Sequence, residues 1–129
     1  LLEAVIAGAV TCIIAEELRA EVTEVLGRQS VRGWTPQQVD DYFGPVWIAA
    51  RVVEMAADDP KYLKFVHDPD DVTILRIASG TFFHPDLASA PRKFIVSSDG
   101  RAFPHGVNWN GFECCTASAF MERLRDALE

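Results

Sequence analysis

The sequence predicts an α/β domain in which a parallel sheet is built from strands joined by crossover helices, in three layers. Three observations point there. The runs "AVTCIIA" (9–15) and Phe94–Ile95–Val96 within "KFIVSSD" (93–99) are apolar and rich in β-branched residues without polar alternation, as strands buried on both faces require. Amphipathic or capped helical stretches separate these runs, and alternating strands and helices imply right-handed crossovers. A chain of 129 residues with 49% hydrophobic and 24% charged content suits one domain around one core and is no disordered polymer. In such sheets ligands gather at the carboxyl ends of the strands.

Each element has its own justification. Residues 1–8 read as the end of a helix stopped by Gly8, so the chain opens in mid-pattern, as if an upstream segment were missing. After the strand at 9–15, "EELRAEVTEVLGR" (16–28) sets Leu18, Val22, Val25 and Leu26 on one helical face. Thr35 is an N-cap and Pro36 a first-turn residue for a helix over 34–43. Gly44–Pro45 breaks or kinks it, and "VWIAARVVEMAA" (46–57) resumes a helix. Residues 58–67 connect to a further helix that Asp68 caps, with Pro69 at its first position. A long excursion, 79–92, leads to a strand at 93–99 that ends on Asp99. An irregular stretch follows, then a short strand "FECC" (112–115) and an amphipathic helix opened by Thr116.

Composition removes several function classes. The net charge of −7 argues against a broad basic surface that holds nucleic acid by neutralising phosphates, although an acidic metal pocket is itself a source of negative charge. Cys12, Cys114 and Cys115 form an odd set with no Cys-x-x-Cys spacing, which argues against zinc and fits a reducing cytoplasm. The apolar opening is interrupted by Glu3, has no basic leader and is too short to span a bilayer. No Walker A loop, G-x-S-x-G elbow or G-x-G-x-x-G is present. His67, His84 and His105 are scattered, and Trp34, Trp47, Phe82, Phe83 and Trp109 are assigned to core and interface.

The acids carry the chemistry. Glu17, Glu21 and Glu24 share a helix face, which a solvated surface explains when they are taken alone. Asp68, Asp70 and Asp71 are explained by capping and by the helix dipole. Asp99 suits a turn. Taken jointly, a parallel sheet brings strand ends and helix starts to one edge, where Asp71, Asp99 and Glu21 converge. Carboxylates that close repel one another unless a cation neutralises them. Oxygen donors without His or Cys point to Mg²⁺ or Mn²⁺, ions suited to phosphoryl transfer.

The order of these pieces resembles the PIN domain, in the branch described as toxin components of toxin–antitoxin systems. "VTCIIAEELRAEVTEVLGR" is similar to that branch's strand-then-helix segment, with its glutamate at Glu21. "DPDDVTILRIA" is similar to its Asp-Pro-x-Asp helix start, with Asp71 at the metal-site position. "FIVSSD" resembles its strand ending in Thr/Ser-x-Asp, which falls on Asp99, and "CCTASAFMERL" its closing segment, with Ala117 where proline is usual. The resemblance implies a Rossmann-like α/β/α sandwich and a Mg²⁺/Mn²⁺-dependent ribonuclease. It also implies metal held by Glu21, Asp71 and Asp99, with support from Asp68, Asp70 and Ser97. An RNA substrate, an antitoxin partner, a homodimer and a cytoplasmic location come with it. Two features depart from the family pattern. The Asp-Thr-Asn strand that opens the family is not found, and residues 81–91 exceed the usual short link. The first departure keeps a second reading open, a non-catalytic PIN-like module for dimerisation or antitoxin binding. A receiver-like phosphoacceptor is a third, weakened because Lys93 precedes its strand.

Overall fold

The computed structural model describes residues 2–28 and 33–128; Leu1 and Glu129, the outermost residues of the expected terminal helices, lie outside them. The elements in chain order are α1 (Leu2–Ile6), β1 (Ile13–Ile14), α2 (Glu16–Arg28), α3 (Pro36–Ala49) and β2 (Arg51–Val52). A 3-10 turn (Pro60–Lys64), α4 (Pro69–Gly80), a second 3-10 turn (Thr81–Phe83), α5 (Pro85–Ala88) and β3 (Lys93–Val96) follow. The chain closes with β4 (Asn108–Trp109), β5 (Phe112–Cys115) and α6 (Ala117–Leu128). This is an α/β chain. Its strand pairing is divided between two small sheets, β1–β2 and β3–β5–β4, where one central sheet was expected. No helix among the described residues is long and apolar enough to cross a membrane.

The local signals for helix starts hold. Thr35 and Gln38 form a reciprocal capping box at the head of α3, which satisfies two backbone N–H groups at once. Asp68 accepts the backbone N–H of Asp70 at 2.9 Å and Pro69 follows, so α4 begins where the sequence places it. Thr116 Oγ1 accepts from the N–H of Ala119 and opens α6.

Three expectations are corrected. Gly44–Pro45 does not break the helix, because α3 runs through Pro45 to Ala49. Proline there removes one donor, and the carbonyl it leaves, on Asp41, sits at an exposed position where water can serve it. The helix expected over 46–57 ends at Ala49 and becomes β2, because the β-branched pair Val52–Val53 is taken into parallel pairing with β1. Arg51 and Val53 donate to the carbonyls of Cys12 and Ile14, each at 2.8 Å. The strand expected over 9–15 is paired only at Ile13–Ile14, since β2 offers only two residues to pair with.

The stretch read as irregular after residue 99 holds a hairpin, in which β4 pairs antiparallel with β5 and Trp109 stands opposite Phe112. Its two linking residues, Asn110 and Gly111, have φ of 48° and 89°, the doubly positive pair that an Asn-Gly turn accommodates. On its other side β5 pairs with β3 in parallel, from Lys93↔Phe112 to Val96↔Cys115.

Helix α4 is the shared wall of the molecule. Leu75, Val72 and Ala78 enter a core with Ile95, Phe112 and Cys114 of the larger sheet. Ile77 enters a smaller core with Ala15 and Val53 of the other. The segment after β2 lies against α4: Ala56 donates to the Arg76 carbonyl at 2.9 Å and Arg76 Nε donates back to the Ala56 carbonyl at 2.8 Å. Gly80 is required there, because a Cβ would collide with the carbonyl oxygen of Glu54. The start of α4 and the end of β3 lie close enough for the Asp99 charge to act on Asp71.

Candidate active site: an acidic corner between α4 and β3

Each acid of the corner is held by local backbone chemistry. Asp68 spends Oδ1 on the N-cap bond to Asp70. Asp70 and Asp71 occupy the first turn of α4, where the positive end of the helix dipole favours a carboxylate. Asp99 follows β3 in a tight turn. Its N–H donates to Ser97 Oγ at 2.9 Å, and its Oδ1 accepts from the N–H groups of Arg101 at 3.0 Å and Ala102 at 3.2 Å. That turn is anchored by Ala102 and Phe103, both buried in the larger core. Ser97 therefore supports Asp99 directly, by accepting its backbone N–H.

Asp71 is the unusual member. It is half-buried, and its carboxyl is held above the usual aspartate range, first by desolvation and then by the negative charges of Asp68, Asp99 and Asp70. The mutual repulsion places Asp71 and Asp99 within electrostatic reach of each other, as the edge argument requires. The ion pairs of the described residues are Arg19–Asp40, Arg28–Glu24, Arg51–Asp86 and Arg123–Glu113. None brings a cation to this corner.

Glu21 stands apart from this set. It is exposed on α2, at the margin of the stripe that Leu18 turns into the smaller core, and it is not among the charges that act on Asp71. Among the described residues, no three His, Cys, Asp or Glu side chains gather as a group able to hold a metal ion. Asp68, Asp70 and Asp99 each act on Asp71 through their charge, and Glu21 is not among the groups that do.

The donor set of the corner suits a hard cation of modest coordination demand. Mg²⁺ is ordinarily bound through one or two carboxylates, retaining waters and taking substrate phosphate oxygens for the remainder, without a closed protein cage. The Asp71 carboxylate and Asp99 Oδ2, which is left over from the turn, are two such oxygen donors. The cysteines offer no competing chemistry. All three are free thiols, and burial pushes each of them up, with Cys115 adding to the shift at Cys114, so none is an activated nucleophile. A cleft of about 340 Å³ on a neighbouring face of α4, lined by Asp58, Asp59, Thr73 and Arg76 among others, includes neither Asp71 nor Asp99.

Two features of the surface escaped the sequence. Arg51 and Asp86 form a paired ion bridge, with Nη1–Oδ2 at 2.7 Å and Nη2–Oδ1 at 3.3 Å, which ties α5 to the start of β2. No sequence signal links residues so far apart. Phe82 and Phe83, assigned to core and interface, are 42% and 75% exposed. Compared with protein-family models, with curated proteins and with solved structures, the chain finds no match.

Proposed function

We propose that the chain is a PIN-like, metal-dependent endoribonuclease with a Rossmann-like three-layer α/β/α plan, acting as the toxin of a toxin–antitoxin pair in the cytoplasm. The observation that supports it is the Asp71–Asp99 pair, two mutually repelling carboxylates at the edge where α4 starts and β3 ends, with no ion pair of the described residues bringing a cation to them. In this reading Asp71 and Asp99 hold Mg²⁺ or Mn²⁺, and Glu21 is a third carboxylate offered from α2. An ion bound there would supply water activation and charge stabilisation at phosphorus. The protein's own part is positional. Ser97 and the turn at 99–103 fix Asp99, and the α4 cap fixes Asp71. An antitoxin protein and a second copy of the chain are the proposed partners.

A second reading is a catalytically silent PIN-like module used in dimerisation or antitoxin binding. It is favoured by the lack, among the described residues, of any three acids grouped to hold a metal ion, and by Glu21 not being among the charges that act on Asp71. Cleavage of single-stranded RNA with added Mn²⁺ separates the two. The first reading expects cleavage that Asp71→Asn and Asp99→Asn each abolish while the circular dichroism spectrum is retained. Metal-independent cleavage, or none at all, sinks it.

A further inference from the structure

We infer that the cleft between the 58–63 segment and helix α4 is a binding site for a free α-amino acid with a cationic side chain. Its lining includes Asp58, Asp59, Leu63, Val72, Thr73 and Arg76, and its volume is about 340 Å³. That is the small end of the range of ligand pockets, roughly 300–1,000 Å³, and suits a small molecule better than a segment of a macromolecule. Asp58, Asp59 and Arg76 are the charged side chains of the lining, yet none of them takes part in the ion pairs of the described residues. Lys61, close in the chain, is not in the lining; its Nζ lies over the Tyr62 ring, 5.5 Å from the centroid. Opposite charges held apart across a gap of ligand size are complementary to a molecule that carries both signs. The sum of the charges decides which molecule. Two carboxylates and one guanidinium are matched in full by a ligand with one carboxylate and two ammonium groups. The acids repel a phosphate ester, and Arg76 repels a bare divalent cation. Neither Asp71 nor Asp99 lines this cleft, so the inference stands independently of the ribonuclease reading.

The charged groups of the cleft are fixed by the backbone around them. Arg76 Nε donates to the Ala56 carbonyl at 2.8 Å, and the N–H of Ala56 donates to the Arg76 carbonyl at 2.9 Å. The guanidinium is anchored through Nε, which leaves its two Nη groups to take a carboxylate. Asp58 Oδ1 accepts the N–H of Asp59 at 2.8 Å, and Asp59 Oδ1 accepts that of Lys61 at 2.9 Å. Each acid thus spends one oxygen on the chain and keeps the other for an ammonium group. Groups held in this way lose little freedom when a ligand meets them. Val72, Thr73 and Arg76 share one face of α4 by their spacing of three and four residues. Val72 is buried, whereas Leu63 across the cleft is 46% exposed. Together they offer an apolar surface to the methylene stem of a long cationic side chain.

The test is isothermal titration calorimetry of the chain with L-lysine and three analogues at low salt. L-Norleucine lacks the side-chain ammonium, cadaverine the carboxylate and 6-aminohexanoate the α-ammonium. Lysine is expected to bind at one site, with each analogue about fivefold or more weaker. Asp58→Asn and Asp59→Asn keep Oδ1 as an acceptor, so both should melt like the parent while binding lysine about fivefold less tightly. Arg76→Gln should abolish the advantage of lysine over cadaverine, a comparison made within one variant and so insensitive to its stability. The proposal is overturned if the parent shows no saturable binding of lysine or if the three analogues match it. It is overturned as well if both asparagine variants bind lysine as the parent does, which would place the ligand elsewhere. Asp71→Asn, outside the lining, should bind lysine as the parent does whatever its effect on RNA cleavage, so failure of the catalytic reading is read separately.

Discussion

Replacing Asp71 by asparagine should stabilise the fold while removing the proposed activity. Desolvation, then Asp68, Asp99 and Asp70, hold the Asp71 carboxyl above the ordinary aspartate range in the folded chain. A folded-state pKa raised above the unfolded one means that folding disfavours the ionised form. The penalty is fully present above the folded-state pKa and is relieved as pH falls toward and below the ordinary aspartate value. Like charges on a helix surface cost about 0.2–0.5 kcal/mol per pair, so three neighbours amount to roughly 1 kcal/mol. The helix dipole returns about 0.3–1 kcal/mol to a first-turn carboxylate, which asparagine gives up. Desolvation of the ionised group tips the balance, leaving the variant ahead by about 0.5 kcal/mol near neutral pH, or roughly 2 °C in Tm. Thermal melts across acid to neutral pH at low salt read this directly. The advantage of the variant should shrink as pH falls through the carboxylate range, and shrink again in high salt. Mn²⁺ at a hundred times its Kd should reverse the order, since it adds about 2.7 kcal/mol to a parent that binds it and nothing to a variant that does not. A variant less stable than the parent at neutral pH, a difference indifferent to pH, or equal stabilisation of both by Mn²⁺ would refute the reasoning.

What could be read in advance follows the range of the forces involved. The start of α4 was legible because Asp68 and Pro69 act on their immediate neighbours, and the same holds for Thr35 at α3 and Thr116 at α6. The Asp71–Asp99 encounter was legible too, since it needs only the rule that helix starts and strand ends share an edge. β2 was not legible. Arg51–Val52 continues an apolar helical pattern, and only long-range bonds to Cys12 and Ile14 convert it to a strand. The β4–β5 hairpin had a usable signal in Asn110–Gly111, whose doubly positive φ values are what that dipeptide accepts readily. Glu21 shows the limit of face arguments. Helical spacing from Leu18 places it at the margin of the buried stripe, but which neighbour that margin meets depends on how α2 is set against the sheet. Phe82 and Phe83 are assigned to core and interface from residue type alone, and type does not separate the two: Phe82 is 42% exposed while packing on Phe112, and Phe83 is 75% exposed.

Substitutions at two further positions test the frame of the site. Gly80→Ala adds helix propensity but drives a Cβ into the Glu54 carbonyl; backbone cannot yield as a side-chain tip can, so a net loss of about 1–3 kcal/mol is expected in denaturant titration. Asp99 separates structure from chemistry within one side chain. Its Oδ1 accepts two backbone N–H groups, those of Arg101 and Ala102, and this turn delivers Ala102 and Phe103 to the core. Asparagine keeps the Oδ1 acceptor and loses the charge, whereas alanine loses both and leaves one of the two donors, on Ala102, part-buried without a partner. Asp99→Ala should therefore cost about 1–2 kcal/mol of stability, with Asp99→Asn close to the parent. Both should lose metal-dependent cleavage alike, because the free Oδ2 carries the proposed metal contact. If asparagine destabilises as much as alanine, the turn depends on the negative charge and the geometric account of Asp99 is wrong. If alanine retains cleavage, Asp99 holds a turn and no metal, and the catalytic reading loses one of the two carboxylates it rests on.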